Sequence, residues 1–342
     1  MALLLTEGFE TYKDAAAVDL GAKKWTSGSS IEALFTSGAK TGANCARTPS
    51  LTKTVDVADE HATFIAGACY KAGYNVETTL ISFNSDANAT NHVNLRRNVG
   101  GTLSILRGTT VLATTTAVYI TSDYHYFEMK ATLHDTTGTI DVYVDSNPTP
   151  VLTFSGDTKN AGTKTVFDTF RILGGSFQMV DDIYLANGAG AAPFNTTIGE
   201  VRCYPLAPNG NGATQQGVGS DGNSVDNYLL VDEAAGSFNG ADYTGMFTPG
   251  NIDLYTIGNL GITTGQIANV EVAGYVQKSD SGAKSARLKL RTAATNYDGS
   301  TDTLTTAVWT PIRDEWKINP NTGLAWTIAE VNAIEAGYEA LA

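Results

Sequence analysis

Five polar and aromatic residues of one predicted hairpin have the types and spacing that suit ligand binding. Tyr124 and Tyr126 are two residues apart, and Asp141, Tyr143 and Asp145 follow with the same spacing. Alternate residues of a strand share a face, so adjacent strands would bring Tyr143 beside one of the other tyrosines. Such a face can stack sugar rings while the aspartates accept hydrogen bonds from hydroxyls. It is equally suited to burial beneath a second subunit or the sister sheet, which is the interpretation we favour.

Elsewhere the sequence has no pattern that indicates catalysis. Asp181 and Asp182 are adjacent, and neighbours on a strand point to opposite faces, whereas a glycosidase needs two facing carboxylates. One of them could bind calcium together with loop carbonyls, but a solvated edge or a turn cap is favoured. We expect His125 in the core or in an interface. The histidines lack the spacing of a zinc site: His61, His92, His125 and His134. We predict no catalytic residue and no cofactor, and leave open whether a metal is bound.

The cysteines and the first residues indicate where the protein is made. Cys45, Cys69 and Cys203 are widely spaced and odd in number, so no disulfide framework is expected and buried thiols in a reducing cytoplasm are favoured. The apolar run Leu3–Leu5 has no basic residues before it, unlike a signal peptide. No run approaches the ~20 apolar residues of a membrane helix. We expect a protein made in a reducing cytoplasm, without membrane contact.

The charge of the chain argues against nucleic-acid binding. The net charge is −13, whereas a nucleic-acid-binding face needs clustered Lys and Arg. The largest basic group alternates along a predicted strand and is expected to be a solvated strand face: Lys284, Arg287, Lys289 and Arg291.

Period-two alternation dominates the chain and is typical of antiparallel sheets. Residues 124–133 alternate between an apolar and a polar face, a turn follows at 135–138, and residues 140–145 continue the pattern. This predicts a hairpin with one buried face. Residues 270–277 and 286–290 predict another.

The domain boundary is predicted from a change in composition. Residues 205–223 are rich in turn-forming residues and are predicted to be a linker or a long loop. A chain of 342 residues also exceeds the usual size of one core. We therefore expect an all-β protein with two antiparallel β-sandwich (jelly-roll) domains, 1–203 and 204–342.

A short helix is predicted at 327–342. Thr327 and Glu330 have the spacing of a capping box. The apolar residues after them follow the spacing of a helical stripe: Val331, Ile334, Tyr338 and Leu341. This stripe would dock on its own domain or meet symmetry mates in an oligomer.

Two parts of the chain resemble known families. The segment EMKATLHDTTGTIDVYVDSNPTPVLTFSG, followed by FDTFRILGGSFQMVDDIYLANG, resembles the later strands of concanavalin-like or laminin-G-like jelly rolls. The segments GEVRCYPLAPNGNGATQQ and SVDNYLLVDE, the region 270–300 and above all NPNTGLAWTIAEVNAIEAGYE resemble a C-terminal module of tailed-phage tail or virion proteins. These motifs are structural, so the resemblance implies a place in the virion and no reaction.

We therefore expect a non-enzymatic structural component of a tailed-phage virion: a minor tail, fibre or baseplate-associated protein. Its expected partners are other virion proteins, copies of itself in a trimer and a host surface glycan. One alternative is a capsid decoration or head-fibre protein. Two others are a polysaccharide-degrading enzyme and a free carbohydrate-binding module.

Overall fold

The computed structural model describes residues 3–14, 17–26, 28–36, 38–47, 49–119, 123–175, 178–282 and 284–342. The chain forms antiparallel sheets with short helices and divides into two compact units, Met1–Cys203 (unit 1) and Tyr204–Ala342 (unit 2). Among the described residues, the helices lack the length and apolar character of a membrane-spanning segment.

Unit 1 is a β-sandwich of two antiparallel sheets. Its strands are β1 (Leu3–Glu7), β2 (Ala33–Phe35), β3 (Cys45–Arg47), β4 (Ser50–Thr54), β5 (Thr63–Lys71), β6 (Thr78–Ser85), β7 (Thr90–Arg97), β8 (Leu103–Arg107), β9 (Thr110–Thr114), β10 (Tyr124–Thr132), β11 (Gly138–Val144), β12 (Leu152–Gly156), β13 (Thr169–Leu173) and β14 (Met179–Asn187). The first sheet has the order β12-β11-β10-β5-β14-β3-β2, with β1 paired to β14, and the second has the order β4-β13-β6-β7-β8-β9. A helix, α1 (Ala17–Gly21), and a 3₁₀ turn (Val57–Asp59) complete the unit.

The core of unit 1 lies between the two sheets, where alternate residues of each strand point inward. The predicted hairpin is confirmed as β10–β11, with Met129 opposite Val142 and both side chains buried. Phe64 packs edge-on against Phe83 at 5.6 Å between ring centroids, and both rings contact Phe167. Such aromatic pairs add to the free energy gained by burying apolar area.

Unit 2 is a smaller, sandwich-like set of antiparallel sheets. Its elements are β15 (Pro208–Gln215), β16 (Val218–Gly219), a 3₁₀ turn (Asn227–Leu230), β17 (Thr244–Gly245), β18 (Ile252–Ile257), β19 (Val270–Val276), β20 (Ser285–Thr292), β21 (Thr295–Thr303), β22 (Thr310–Trp316), α2 (Ile328–Val331) and β23 (Glu335–Leu341). The largest sheet has the order β15-β18-β23-β20-β21, and β16–β17 and β19–β22 form separate ribbons. Val270, Leu290 and Trp326 lie in its core.

The predicted C-terminal helix 327–342 is wrong in extent. The capping box of Thr327 and Glu330 is present, but α2 ends at Val331. Of the predicted stripe, Val331 and Ile334 lie in the core, while Tyr338 and Leu341 belong to β23. The reason is that β23 lies between β18 and β20 and hydrogen-bonds to both. A helix over these residues would leave two strand edges unpaired.

Two further predictions in unit 2 are also wrong. β19 and β20 do not pair with each other, because β19 pairs with β22 while β20 pairs with β21 and β23. Alternation identifies a strand but not its partner. The predicted linker 205–223 contains β15, which joins β18 through its backbone with two register shifts.

The basic residues of β20 are not simply solvated. Lys289 is 4% exposed, because Asp298 of β21 and Glu339 of β23 lie on either side and pair with it. Arg287 bridges the same two acids at 2.6 and 2.7 Å. Cross-strand acids therefore neutralise the basic face.

Candidate functional site

The predicted aromatic face is on the outer side of the first sheet, but its residues do not form one platform. Tyr126 is 1% exposed. Its ring and that of Tyr184 lie over Gly67, where a Cβ atom would come within 2.8 Å of Tyr126 and 2.5 Å of Tyr184. Tyr143 lies opposite Glu128 rather than beside a tyrosine. Tyr126 therefore cannot stack on a sugar, because neighbouring groups already cover it.

The cover is a segment of the same chain, residues 195–203, which we call the strap. The Oε1 atom of Glu128 accepts hydrogen bonds from the backbone N–H groups of Ile198 and Gly199, both at 3.0 Å. It also accepts one from the Tyr184 hydroxyl at 2.6 Å. Burial raises the pKa of Glu128, which is 2% exposed. At Tyr126 and Glu128 the cover is therefore this strap, and the expected cover by a second subunit or the sister sheet is wrong there.

Asp181 and Asp182 anchor two covering segments at a bulge in β14. Asp182 has a φ of 50°, and the register with β5 shifts between Asp181 and Tyr184. Asp181 Oδ2 accepts from the Lys40 N–H at 2.8 Å, and Asp182 Oδ1 accepts from the Cys203 N–H at 2.7 Å. Both residues are fully buried. The expectation of a solvated edge is wrong, because the bulge turns both carboxyl groups toward segments that need acceptors.

The protonation of these acids follows from their burial. Burial and the proximity of Asp182 raise the pKa of Asp181, and burial raises that of Asp182. Glu10 accepts hydrogen bonds from the Ala43 and Asn44 N–H groups, and burial raises its pKa to about 7. Within the described ranges, no group of three or more His, Cys, Asp or Glu side chains is placed to hold a metal ion. Because these carboxyl groups are buried, they accept hydrogen bonds from the backbone and stabilise the fold.

The three cysteine side chains are not reactive nucleophiles. Cys45 and Cys69 are buried, and the structure contains all three as free thiols. Burial raises the pKa of the Cys45 thiol to about 11 and raises that of Cys69 and Cys203 as well. The thiolate form that attacks electrophiles is therefore disfavoured.

A small depression of about 10 Å³, the space of a single water molecule, lies where β10 begins, and we call it the end pocket. Its lining combines buried apolar groups with polar ones: Tyr70, Ala72, Leu80, Arg97, Tyr119, Asp123, His125 and Phe127. Ligand pockets usually span about 300–1,000 Å³, so this depression is too small to enclose a sugar. It joins aromatic and charged side chains of unit 1.

One predicted residue, Asp145, lies behind the end pocket, and the others lie away from it. Asp145 Oδ2 lies 2.7 Å from His125 Nδ1 and so fixes the imidazole ring that lines the pocket. Tyr124 directs its hydroxyl to the Gly38 carbonyl at 2.9 Å, and its ring lies under the Lys71 ammonium. Asp141 lies elsewhere, opposite Lys130 on the neighbouring strand. The structure thus separates the five predicted residues.

Sequence reasoning missed Arg97 and Tyr119. Arg97 is 3% exposed, and its Nη2 donates to the carbonyls of Tyr74 at 2.7 Å and Val76 at 3.4 Å. The Tyr119 ring stands edge-on to His125 at 5.8 Å between centroids. These residues come from distant parts of the chain, and nothing in their local spacing indicates that they meet.

Comparison with known proteins gives only weak structural similarities. No protein-family model matches the sequence. No curated protein matches it either. A sialidase from Trypanosoma rangeli is similar at 14% identity and a TM-score of 0.34 over 46% of this chain, and the match spans 27% of the sialidase. An alginate lyase is similar at 12% identity and a TM-score of 0.35, over 54% of this chain and 96% of the lyase.

Domain 4 of an arabinanase from Geobacillus stearothermophilus gives a comparable match. Its identity is 11% and its TM-score 0.35, over 54% of this chain and 92% of that domain. Similarities this weak are no basis for assigning an activity.

Proposed function

We propose that this protein is a non-enzymatic structural component of a tailed-phage virion, in the tail, fibre or baseplate region. The resemblance of segment 319–339 and its neighbours to phage virion modules supports the location. The buried acidic side chains of unit 1 support a role without catalysis, because they serve as hydrogen-bond acceptors within the fold. Glu128, Asp181 and Asp182 are at most 2% exposed, and each accepts hydrogen bonds from the backbone of a covering segment. This observation carries the non-catalytic part of the proposal, because buried acceptors have no access to a substrate, while the virion location rests on the sequence resemblance alone.

Binding to partners would then use surfaces that exist before contact. Unit 1 would contact a host glycan through predicted residues that stay accessible, such as Asp145, whose side chain is 51% exposed. Many virion copies would make individually weak contacts sufficient through avidity. Preformed sites also lose little conformational entropy on binding.

Immunogold electron microscopy of purified virions, with antibodies against the full-length protein, tests the location. We expect labelling at the tail or baseplate. Labelling of the capsid would instead establish the decoration or head-fibre alternative, and virions without label would overturn a virion role. Release of reducing sugar from capsule or lipopolysaccharide by the purified protein would overturn the non-enzymatic part.

A further inference from the structure

Unit 2 carries four aromatic side chains that contact one another without being buried, and we call them the aromatic cluster: Phe238, Tyr243, Tyr275 and Trp309. The Phe238 ring stands edge-on to Tyr275 at 5.0 Å and to Trp309 at 5.5 Å between centroids. Tyr243 contacts Trp309 at 6.3 Å. Phe238 is 38% exposed and Tyr243 is 43% exposed. Single exposed apolar side chains are ordinary, whereas a group in mutual contact indicates a binding surface.

The turn that carries Phe238 and Tyr243 is fixed by its own polar side chains. Asn239 Oδ1 accepts a hydrogen bond from the Ala241 N–H at 3.1 Å, and Asn239 Nδ2 donates to Asp242 Oδ2 at 2.6 Å. Asn239 and Asp242 are also exposed, so a ligand on the rings can reach them. A surface that is fixed before contact loses little conformational entropy on binding.

The same turn is anchored to the rest of unit 2 through its backbone. A Cβ atom at Gly240 would come within 2.7 Å of Trp309 Nε1, so the turn lies directly against the edge of the indole. The Tyr243 carbonyl accepts from the Ser220 N–H at 2.8 Å, and the Tyr243 N–H donates to Ser220 Oγ at 3.3 Å. These bonds do not involve the Tyr243 side chain, so its ring can be removed without loosening the turn.

The charges beside the turn limit the kind of ligand. Burial raises the pKa of Glu233, and the proximity of Asp232 and Asp242 raises it further, so three carboxyl groups lie close together here. An anionic ligand would be repelled. Carboxylate and amide oxygens accept hydrogen bonds from hydroxyl groups, while exposed aromatic faces pack against the C–H face of a sugar. The combination suits an uncharged ligand that is rich in hydroxyl groups.

The exposed area of the rings is small for a protein partner. Even at ~250 Å² for a large aromatic side chain, four residues that are at most 43% exposed offer no more than half of the ~800 Å² that each partner contributes to a stable interface. We propose that the aromatic cluster binds an uncharged glycan, with Tyr243 and Trp309 as stacking rings and Asn239 and Asp242 as hydrogen-bond partners. This inference extends the proposed glycan contact to unit 2 and rests on it.

Saturation-transfer NMR titration of the full-length protein tests the proposal. The uncharged probes are cellohexaose, maltohexaose and the N-acetylglucosamine hexamer, and the charged probes are the cationic glucosamine hexamer and the anionic hexagalacturonate. We expect binding of at least one uncharged probe and weaker binding of both charged ones. No binding of any uncharged probe, or tighter binding of a charged one, would overturn the assignment. None of these results depends on the place of the protein in a virion.

Three variants decide whether the aromatic cluster is responsible. Tyr243→Ala and Trp309→Ala should each weaken binding of the uncharged probe at least tenfold. Tyr74→Ala is the matched control, because Tyr74 is an exposed tyrosine of unit 1, and it should bind normally. If Trp309→Ala fails to fold, Tyr243→Ala alone decides, since its backbone bonds to Ser220 remain. Unchanged binding in the folded variants overturns the proposal.

Two further results separate this inference from the proposed function. Loss of binding in Asp145→Asn, with normal binding in Tyr243→Ala, would locate the glycan on unit 1; it would overturn the site in unit 2 and leave the proposed function standing. Light scattering should give the same mass for Tyr243→Ala as for the parent chain. A lower mass would assign the aromatic cluster to contact between copies of the chain and overturn the glycan site.

Discussion

At the scale of single residues, Gly337 would destabilise a helix, whereas it stabilises the strand pairing in which it lies. In the predicted helix it only weakens the element. In β23 it lets two backbones approach closely, because a Cβ atom at this position would lie 1.9 Å from the Asp253 carbonyl oxygen. Gly274 of β19 is a natural comparison, since a Cβ atom there would meet nothing within 4 Å.

Gly337→Ala should therefore destabilise unit 2 by at least ~2 kcal/mol, because β18 or β23 must shift to admit the methyl group. Gly274→Ala should leave stability unchanged or slightly raised, since it only reduces the freedom of the unfolded chain. Denaturant unfolding followed by tryptophan fluorescence measures both, as Trp309, Trp316 and Trp326 all lie in unit 2. Equal stabilities for the two variants would contradict the close approach.

The buried acids predict an unusual pH dependence for unit 1. A carboxyl group with a raised folded-state pKa binds its proton more tightly in the folded state than in the unfolded state. For Glu10 the stabilising effect is full below pH 4.5 and is lost as the pH rises through about 7. Asp181 and Asp182 act in the same direction. The contribution of these groups to the free energy of unfolding should therefore fall as the pH rises across this range.

Asp182→Asn tests this directly. The amide keeps an oxygen to accept from the Cys203 N–H, and the Oδ2 that it replaces has no hydrogen-bond partner. At pH 8 the variant should be more stable than the parent by at least ~1 kcal/mol, and the gain should vanish near pH 4. Calorimetric melting at the two pH values measures the difference. Asp135→Asn, at a side chain that is 68% exposed, should show no such change.

At the scale of secondary-structure elements, the strap covers the part of the outer sheet face that we had expected a second subunit or the sister sheet to cover. Glu128 is its central acceptor, with two strap N–H groups on one oxygen. Glu128→Ala should leave both amides without that acceptor and speed hydrogen exchange at Ile198 and Gly199 at least tenfold, while Glu128→Gln retains the oxygen and most of the protection. Exchange measured by mass spectrometry would contradict this if both variants behaved alike. Glu77→Ala, at an exposed residue, is the control.

Local sequence patterns predicted individual strands, but the residues that determine which segments pair lie elsewhere in the chain. The hairpin β10–β11 was predictable because its alternation and turn are contiguous. The bulge at Asp182 was not, since two adjacent aspartates give no sign of an inserted residue. The strap has no periodicity of its own and depends on Glu128, about 70 residues earlier. For the same reason, Arg97 and Tyr119 could not be assigned to one pocket from the sequence.

The C-terminal segment shows tertiary pairing overriding a local signal. Its capping box formed as predicted, yet only one turn of helix follows it. Beyond Ile334, hydrogen bonds to two neighbouring strands are available, and these outweigh a marginal helix that also contains Gly337.

At the scale of the whole molecule, β23 makes unit 2 dependent on its last described strand. Removing residues 327–342 should abolish the cooperative unfolding of unit 2, because the five-stranded sheet loses a central strand, while unit 1 keeps its fold. Calorimetry and amide exchange on the truncated chain check this. A truncated chain with a native-like unit 2 would show that the sheet does not need β23.

The trimer remains a prediction for the full-length chain. Light scattering at several concentrations should give three times the 36.0 kDa chain mass. A monomer at every concentration would remove the trimer. The truncated chain is an unsuitable control here, since loss of the β23 pairing would itself change how the chains associate. Point variants at exposed positions are needed instead.

The strand order also determines when each unit can fold during synthesis. Unit 1 can close once β14 has left the ribosome and paired with β1 and β5. In unit 2, β18 and β20 must wait for β23, and until it emerges their edges are open. Open edges pair readily with other chains. On a crowded polysome, neighbouring nascent copies can meet while these edges are open, so we expect unit 2 to be more prone than unit 1 to associate wrongly during synthesis.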